Sequence, residues 1–427
     1  MRAVVSPSQI YGSVTAPPSK SYTHRAVALA AITEEETRIY TPLLSRDTRA
    51  SIRAAEMLGS EVAMDDDFLR VVGRERLACP ADVIDVENSG TSLRIFTALS
   101  ALVGDGYTVL TGDDSIRRRP IQPLLDALKR LGVDCWTTRG TGTAPVVVKG
   151  GGIKGGFTEI IGWESSQYVT AILTASLRAG GKVILRVEGH TVSRPYIDAT
   201  IKTVERFGGR IAREGYSYFE VEPQPLRGIS FQVPGDFGAA SFIIAAAYLA
   251  GGEVLIRNLD PSLPQADSAI VGYAEAFGCK IGYVDGGLRV ISDRSSGELT
   301  LNLSDSPDLL PVLAVMAVAR PATTHLTGVS HARLKESDRV NALAVQLRHL
   351  GIDVREREDG LTIRGQDEIE GGLILESYGD HRLFMAFTVL GLACRKGLTV
   401  EGAESADVSY PGFLEDLSRI GARLKIT

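Results

Sequence analysis

One pattern constrains the fold of this chain more than any other: a helical stretch closed by glycine returns six times at nearly constant spacing. The stretches are AAEMLGSEV (54–62), DALKRLGVDC (126–135), TVERFGGRI (203–211), YAEAFGCKI (273–281), AVQLRHLGIDV (344–354) and EDLSRIGARL (415–424). Their glycines, Gly59, Gly132, Gly208, Gly278, Gly351 and Gly421, are separated by 73, 76, 70, 73 and 70 residues. Such a period marks a supersecondary unit that cannot bury its apolar face alone and must pack against copies of itself. Glycine just past a helix accepts the left-handed backbone that ends it, which explains why the same position recurs.

Each glycine-closed helix follows a short alternating strand, at 37–40, 107–112, 182–189, 253–259, 324–328 and 398–402. Each strand in turn follows a second, more apolar helix, at 19–32, 89–103, 165–179, 236–250, 307–319 and 380–395. After the glycine come a strand, a turn and another strand, as in 211–222, 281–291 and 354–363, where Asp-Gly and Gly-Gly pairs read as hairpin turns. The unit is therefore helix, strand, helix, strand, strand. It can bury one sheet face and one face of each helix, so three units with their apolar helices inward close one core and six make two domains. The helices at 236–250 and 307–319 are apolar nearly all round, as interior helices should be. The expected fold is α/β with two domains of three repeats each. The last repeat ends one strand short of the pattern, while residues 1–14 precede the first. The leading segment is therefore expected to pair with the C-terminal half, with crossings near 13–18 and 226–233. That gives one domain of 1–14 plus 231–427 and another of 15–230.

Composition works mainly by exclusion. The net charge is 46 − 52 = −6, which argues against a nucleic-acid partner. The most apolar runs, such as 239–250, are too short to span a bilayer, and nothing after Met1 reads as a signal peptide. Cys79, Cys135, Cys279 and Cys394 lie far apart with no CxxC, so neither a disulfide scaffold nor a zinc knuckle is expected. No GxxxxGK[ST], HExxH or GxSxG occurs, and the histidines are scattered, so no metal site or hydrolase triad is indicated. A cytoplasmic enzyme is the expectation.

Its chemistry is written at the heads of the six apolar helices, where unpaired N–H groups and a partial positive charge are exposed. The heads read PPSKSYTHR (17–25), NSGTSLR (88–94), SSQ (165–167), GDFGAAS (235–241), DSPD (305–308) and GDHR (379–382). Four combine small or hydroxyl residues with Lys20, Arg25, Arg94 or Arg382, or offer Ser165, Ser166 and Gln167; two offer a carboxylate, Asp236 and Asp308. A serine at one helix head is ordinarily only a cap. Repeated heads with added lysine and arginine describe a site for several anions. Two loops add to it. Arg117-Arg118-Arg119-Pro120 follows a strand, with Arg119 the best candidate because the proline fixes it, and Ser193-Arg194-Pro195-Tyr196 holds the equivalent place in the third repeat. In 331–339, a helix starting near Lys335 would put Lys335 and Arg339 one turn apart beside Glu336, with Arg333 completing a basic cluster around that carboxylate. Cations fall in both halves, so the empty halves are expected to repel and to draw together once anions bind.

The motifs PSKSYTHR (18–25), NSGTSLR (88–94), TGDDSIRRRP (111–120), SSQYVTA (165–171), VSRPYIDAT (192–200), PGDFGAASF (234–242), RLKESDR (333–339) and GDHRLFM (379–385) together resemble the 5-enolpyruvylshikimate-3-phosphate synthase family of enolpyruvyl transferases, over nearly the whole chain. The resemblance implies an inside-out α/β barrel of two domains built from six βαβαββ units. It implies transfer of the enolpyruvyl group of phosphoenolpyruvate (PEP) to the 5-hydroxyl of shikimate 3-phosphate, in the pathway to chorismate and the aromatic amino acids, by a monomer with no cofactor and no metal. Matched motif by motif, Ser21, Arg25, Ser165, Ser166, Ser193 and Tyr196 are expected to hold shikimate 3-phosphate, and Gln167 to lie between the substrates. Lys20, Arg119, Arg339 and Arg382 are expected around PEP, with Asn88, Gly90 and Arg94 lining that side. Lys335 stands with these cations and, like Lys20 and Asp308, reaches shikimate 3-phosphate. Asp308, Glu336 and Lys20 are the candidates for proton transfer, with Arg194, Asp236, His331 and His381 supporting.

Two positions depart from the pattern. Many relatives carry a lysine two residues before the aromatic–proline pair; here Val408-Ser409 precede Tyr410-Pro411. His331 stands where many have asparagine. Two alternatives stand beside this resemblance: UDP-N-acetylglucosamine enolpyruvyltransferase, whose relatives usually have a cysteine in the loop that here reads DDSIRRRP, and an anion-binding repeat scaffold without catalysis.

Overall fold

Each repeat becomes a four-stranded mixed sheet with its helices, and all six sheets share one order. The computed structural model describes residues 1–284, 286–293 and 295–427. In the third repeat, strand Val183–Glu188 has Gly156–Ile161 parallel on one side and Tyr218–Val221 antiparallel on the other, with Ala212–Glu214 beyond. The apolar helices are α1 (Lys20–Ala31), α3 (Gly90–Ser100), α5 (Ser166–Ser176), α7 (Phe237–Ala250), α9 (Leu310–Val318) and α11 (His381–Gly391). The glycine-closed helices are α2 (Arg46–Met57), α4 (Gln122–Arg130), α6 (Arg194–Arg206), α8 (Ile270–Phe277), α10 (Arg339–His349) and α12 (Phe413–Arg419). All six closing glycines have positive φ, from 82° at Gly208 to 113° at Gly421. Of the hairpin turns read from sequence, the one at Asp285-Gly286 includes Asp285, which lies outside the described residues.

The chain divides into two units, Met1–Pro17 with Gly235–Thr427 and Pro18–Pro234. Borrowed strands close each of them. Arg2–Ser6 lies between Leu398–Glu401 and Arg423–Ile426, antiparallel to both, and so supplies the strand that the last repeat lacks. Tyr11–Thr15 joins Glu253–Arg257 in parallel, in the same unit. In the other unit, Ser230–Gln232 joins Thr37–Tyr40. That pairing keeps residues up to Pro234 in the second unit, four beyond the 230 read from sequence. Filling these edges satisfies backbone donors and acceptors that an open sheet would expose.

In the first unit, α7, α9 and α11 pack on one another. All nine residues of α9 are buried, as are Phe237–Leu249 of α7. Each buried Leu, Ile, Phe or Val contributes roughly 1.5–3 kcal/mol. In the second unit, α1 packs on α3 and α3 on α5. With the helix bodies committed to the cores, polar chemistry is left to their ends. Among the described residues no helix is long and apolar enough to cross a membrane.

Two helix starts differ from the sequence reading. Pro307–Leu309 forms a 3-10 turn before α9. Residues Ser330–Leu334 form another, Lys335 is extended, and α10 begins only at Arg339. The reason is Asp338, whose carboxylate accepts Asn341 N at 2.9 Å and caps the helix there.

Candidate active site

In the second unit, the heads of α1 and α3 are tied together through α2. Lys20 Nζ meets Asp47 Oδ2 at 3.0 Å, and one turn along both helices His24 Nδ1 lies 2.8 Å from Ser51 Oγ. Ser51 continues to Ser92 Oγ at 2.8 Å, and Ser92 to Ser89 Oγ at 2.7 Å, the residue that caps α3. Burial, and then the Lys20 and Arg25 charges, drive the His24 pKa well below its usual value, so the imidazole in this buried chain is neutral.

Arg25 is anchored by three of its five N–H donors: Nε donates to Thr200 Oγ1 at 2.9 Å, Nη1 to Ser21 O at 2.8 Å and Nη2 to Tyr196 O at 2.8 Å. Its guanidinium also lies 5.9 Å from the centre of the Tyr196 ring. Burial lowers its pKa to about 10. Among the described residues no carboxylate pairs with it, so the buried charge is a standing attraction for an anion.

At the head of α3, Gly90 leaves room for two guanidiniums: a Cβ there would meet Arg119 Nη1 at 2.9 Å and come closer still to Arg94 Nη1. Arg119 Nη2 donates to Asn88 Oδ1 and Ser115 Oγ, both at 2.9 Å, and Asn88 is held by Asp113 at 2.6 Å. Arg94 Nη2 donates to Pro120 O at 2.9 Å. Burial, with the Arg119 charge adding to it, lowers the Arg94 pKa. Ser165 caps α5 by accepting Gln167 N at 3.2 Å, Ser166 is buried beside it, and Gln167 Nε2 reaches Thr91 Oγ1 at 3.1 Å. Ser193, with φ 55°, precedes α6, which carries Tyr196. Arg194 lies over the Tyr216 ring at 5.5 Å, while Arg117 pairs with Asp114 at the surface.

In the first unit three cations gather on one carboxylate. Asp308 Oδ1 accepts from Arg339 Nη1 at 2.7 Å with Lys335 Nζ at 3.6 Å, and Asp308 Oδ2 has Arg382 Nη2 at 3.3 Å. Arg339, only 1% exposed, also donates to Glu336 Oε2 at 2.6 Å and Asp380 Oδ2 at 2.8 Å. Burial opposes its charge, but Asp380, Glu336 and Asp308 together raise its pKa well above the ordinary value. Arg382 Nη1 reaches Asp308 O at 3.1 Å and Asp267 Oδ2 at 3.4 Å. Asp236 caps α7 by accepting Ala239 N at 2.9 Å, and His331 and His381 are buried.

Three cations offset the charge of Asp308, and one expectation changes here. Arg333 does not surround Glu336; it turns to Asp338 at 3.0 Å and Glu356 at 2.7 Å. Lys335, Arg339 and Arg382 thus stand with Asp308 in the first unit, and Lys20 stands with Asp47 in the second.

Sequence reasoning missed Asp47, Asp267 and Asp380. Asp380 stood inside GDHR as the cap of α11, accepting Arg382 N at 2.9 Å, and was legible there as a cap. Asp47 and Asp267 sit at the starts of the glycine-closed helices, outside every head that the repeat singled out. At the departure near the C-terminus, Val408 is buried.

The profile of the family described as EPSP synthase (3-phosphoshikimate 1-carboxyvinyltransferase) matches residues 4–417. A 3-phosphoshikimate 1-carboxyvinyltransferase of Korarchaeum cryptofilum is 41% identical over 98% of each chain. One from Methanothermobacter thermautotrophicus is 43% identical over 97% of each. Among solved structures, an EPSP synthase from Acinetobacter baumannii superposes with a TM-score of 0.80 at 27% identity, covering 100% of both chains.

Proposed function

This chain belongs to the EPSP synthase family, and on that premise we propose that it transfers the enolpyruvyl group of PEP to the 5-hydroxyl of shikimate 3-phosphate, releasing phosphate. The observation that carries the reading is Asp308 held by Arg339, Lys335 and Arg382, a carboxylate and three cations in one cluster. The chemistry requires that combination. The 5-hydroxyl must lose a proton as it attacks C2 of PEP, and C3 must gain one. The tetrahedral adduct must then lose a C3 proton together with phosphate. An acid, a base and cations for the phosphate and carboxylate suffice.

In this reading Asp308 takes the proton of the 5-hydroxyl and Glu336 delivers and later removes the C3 proton. Arg339, touching both carboxylates, keeps them in fixed relation. Lys20, oriented by Asp47, serves PEP and assists proton transfer. Arg339, Arg382, Arg119, Arg94, Asn88 and Gly90 hold PEP. Ser21, Arg25, Ser165, Ser166, Ser193, Tyr196 and Lys335 hold shikimate 3-phosphate, with Gln167 touching both substrates. Arg25, its donors partly committed, acts chiefly as a fixed positive charge beneath the Ser21 and Tyr196 carbonyls. We place the reaction in the cytoplasm, in a monomer.

The test is phosphate release from PEP by the purified protein. Release that requires shikimate 3-phosphate supports the reading. Release with UDP-N-acetylglucosamine as acceptor, or none with either, overturns it.

A further inference from the structure

We propose that Asp267 is a positioning residue for Arg382, holding the guanidinium in the empty site and taking a proton from solvent when a substrate anion replaces it there. The proposal rests on the reading of Arg382 as a PEP contact and assigns a role to a residue that no motif singled out.

Asp267 lies in the 3-10 turn Ala266–Ala269 that leads into α8 and is 5% exposed. Its Oδ2 has Arg382 Nη1 at 3.4 Å, a long contact, and its Oδ1 has no hydrogen-bond partner among the described residues. A buried ionised carboxylate ordinarily has both oxygens satisfied. Asp267 does not, so its ionised form depends chiefly on Arg382 and is poised to take up a proton when that help is withdrawn. Gly238 explains how the groups come together: a Cβ there would meet Asp236 Oδ1 at 3.0 Å and Arg382 Nη1 at 3.3 Å, and would press harder still on Asp267 Oδ2. The charges facing Asp267 are Arg382 from α11, Asp308 from the turn before α9, Asp236 from the head of α7, and Lys335. Two carboxylates thus oppose two cations. Burial first, and then the two neighbouring carboxylates against Arg382, push Asp267 up to about 7.

The linkage follows from who owns Arg382. In the empty site the guanidinium favours ionised Asp267. An anion bound to Arg382 cancels that help, so the acid gains a proton, and by reciprocity the protonated acid favours the anion. As pH rises through 7, Asp267 ionises and competes for Arg382, and PEP binding weakens.

Asp267→Asn keeps the shape and cannot titrate. The intact protein, saturated with shikimate 3-phosphate, is titrated calorimetrically with phosphonoacetate near neutral pH in buffers of differing ionisation enthalpy. The ligand's own protonation is common to both proteins. Wild type is expected to take up more protons per ligand than Asp267→Asn, and its KM for PEP to rise more steeply above pH 7 while kcat changes less. Gly238→Ala, which pushes Asp267 and Arg382 apart, is expected to raise KM for PEP without changing shikimate 3-phosphate binding. Equal proton counts and superimposable KM profiles in wild type and Asp267→Asn overturn the proposal. Absence of any turnover in wild type would instead overturn the reading on which it rests.

Discussion

Arg339 Nη1 and Asp308 Oδ1 stand 2.7 Å apart, and the same guanidinium reaches Glu336 at 2.6 Å and Asp380 at 2.8 Å. One planar fork thus fixes three carboxylates from the turn before α9, the loop before α10 and the head of α11. No lysine could do this, since the arrangement uses the directions of Nε, Nη1 and Nη2. Removing the fork takes away the cation paired with buried Asp380, and breaking such a pair typically costs about 3–5 kcal/mol. Arg339→Met is expected to lower the free energy of unfolding by about that amount, and Arg339→Lys by less. Urea denaturation checks both. Unchanged midpoints would show that the carboxylates do not depend on Arg339.

The carboxylates themselves are tested by amides. Asp308→Asn and Glu336→Gln keep size and most hydrogen bonds but cannot transfer protons. Each is expected to lower kcat by ~10²-fold or more, the usual scale for a positioned acid or base, with shikimate 3-phosphate affinity changed only a few-fold. Rapid quench of the tetrahedral intermediate identifies the blocked step. Normal formation and breakdown in both variants would leave Lys20 as the proton carrier.

Arg25 serves the fold as well as the ligand, with three of its five N–H donors on Thr200 Oγ1, Ser21 O and Tyr196 O. Arg25→Ala is therefore expected to weaken shikimate 3-phosphate binding by ~10-fold or more and also to lower stability by about 2 kcal/mol or more, since hydrogen bonds to a charged group contribute roughly 1.5–3 kcal/mol. Calorimetry and thermal unfolding measure the two effects. Unaltered unfolding would mean that the guanidinium serves only the ligand.

Gly90 separates crowding from charge. Gly90→Ala would press on Arg94 and Arg119 while leaving both charges present. A misplacement of about 1 Å can cost on the order of 10²-fold in rate, so kcat/KM for PEP is expected to fall by ~10-fold to ~10²-fold. Steady-state kinetics with PEP varied decides it, and wild-type values would place these two arginines outside the site.

The repeat made the architecture legible because a glycine at positive φ and a head of small residues are local signals. Gly59 and Gly421 mark equivalent helix ends although one repeat borrows a strand from residues 2–6. The cations were legible for the same reason: Lys20, Arg94 and Arg382 stand beside helix heads. Their carboxylate partners were not. Asp47 and Asp267 become partners of Lys20 and Arg382 only when a second helix of the fold packs beside the first, across 27 and 115 residues of chain. Asp338 misled the reading of 331–339, because the lysine and arginine spacing suggested a helix that its cap starts only at Arg339.

Stability should carry a pH signature of its own. Asp267 has its folded pKa raised to about 7, above the ordinary carboxylate range. Between that range and 7 the folded state binds more protons than the unfolded one, so its contribution to stability falls as pH rises through this window. Asp267→Asn is expected to flatten the decline seen in denaturation curves. An identical pH dependence in wild type and variant would show that Asp267 titrates as an ordinary carboxylate.

The most direct test of the account is the identity of the product. Purified protein is mixed with shikimate 3-phosphate and PEP labelled with ¹³C at C2, and the mixture is followed by NMR and mass spectrometry. The account predicts that the label appears in an enol ether on the 5-oxygen of shikimate 3-phosphate, with phosphate released in equal amount. Label that remains in PEP, appears as free pyruvate or joins a different acceptor would contradict it.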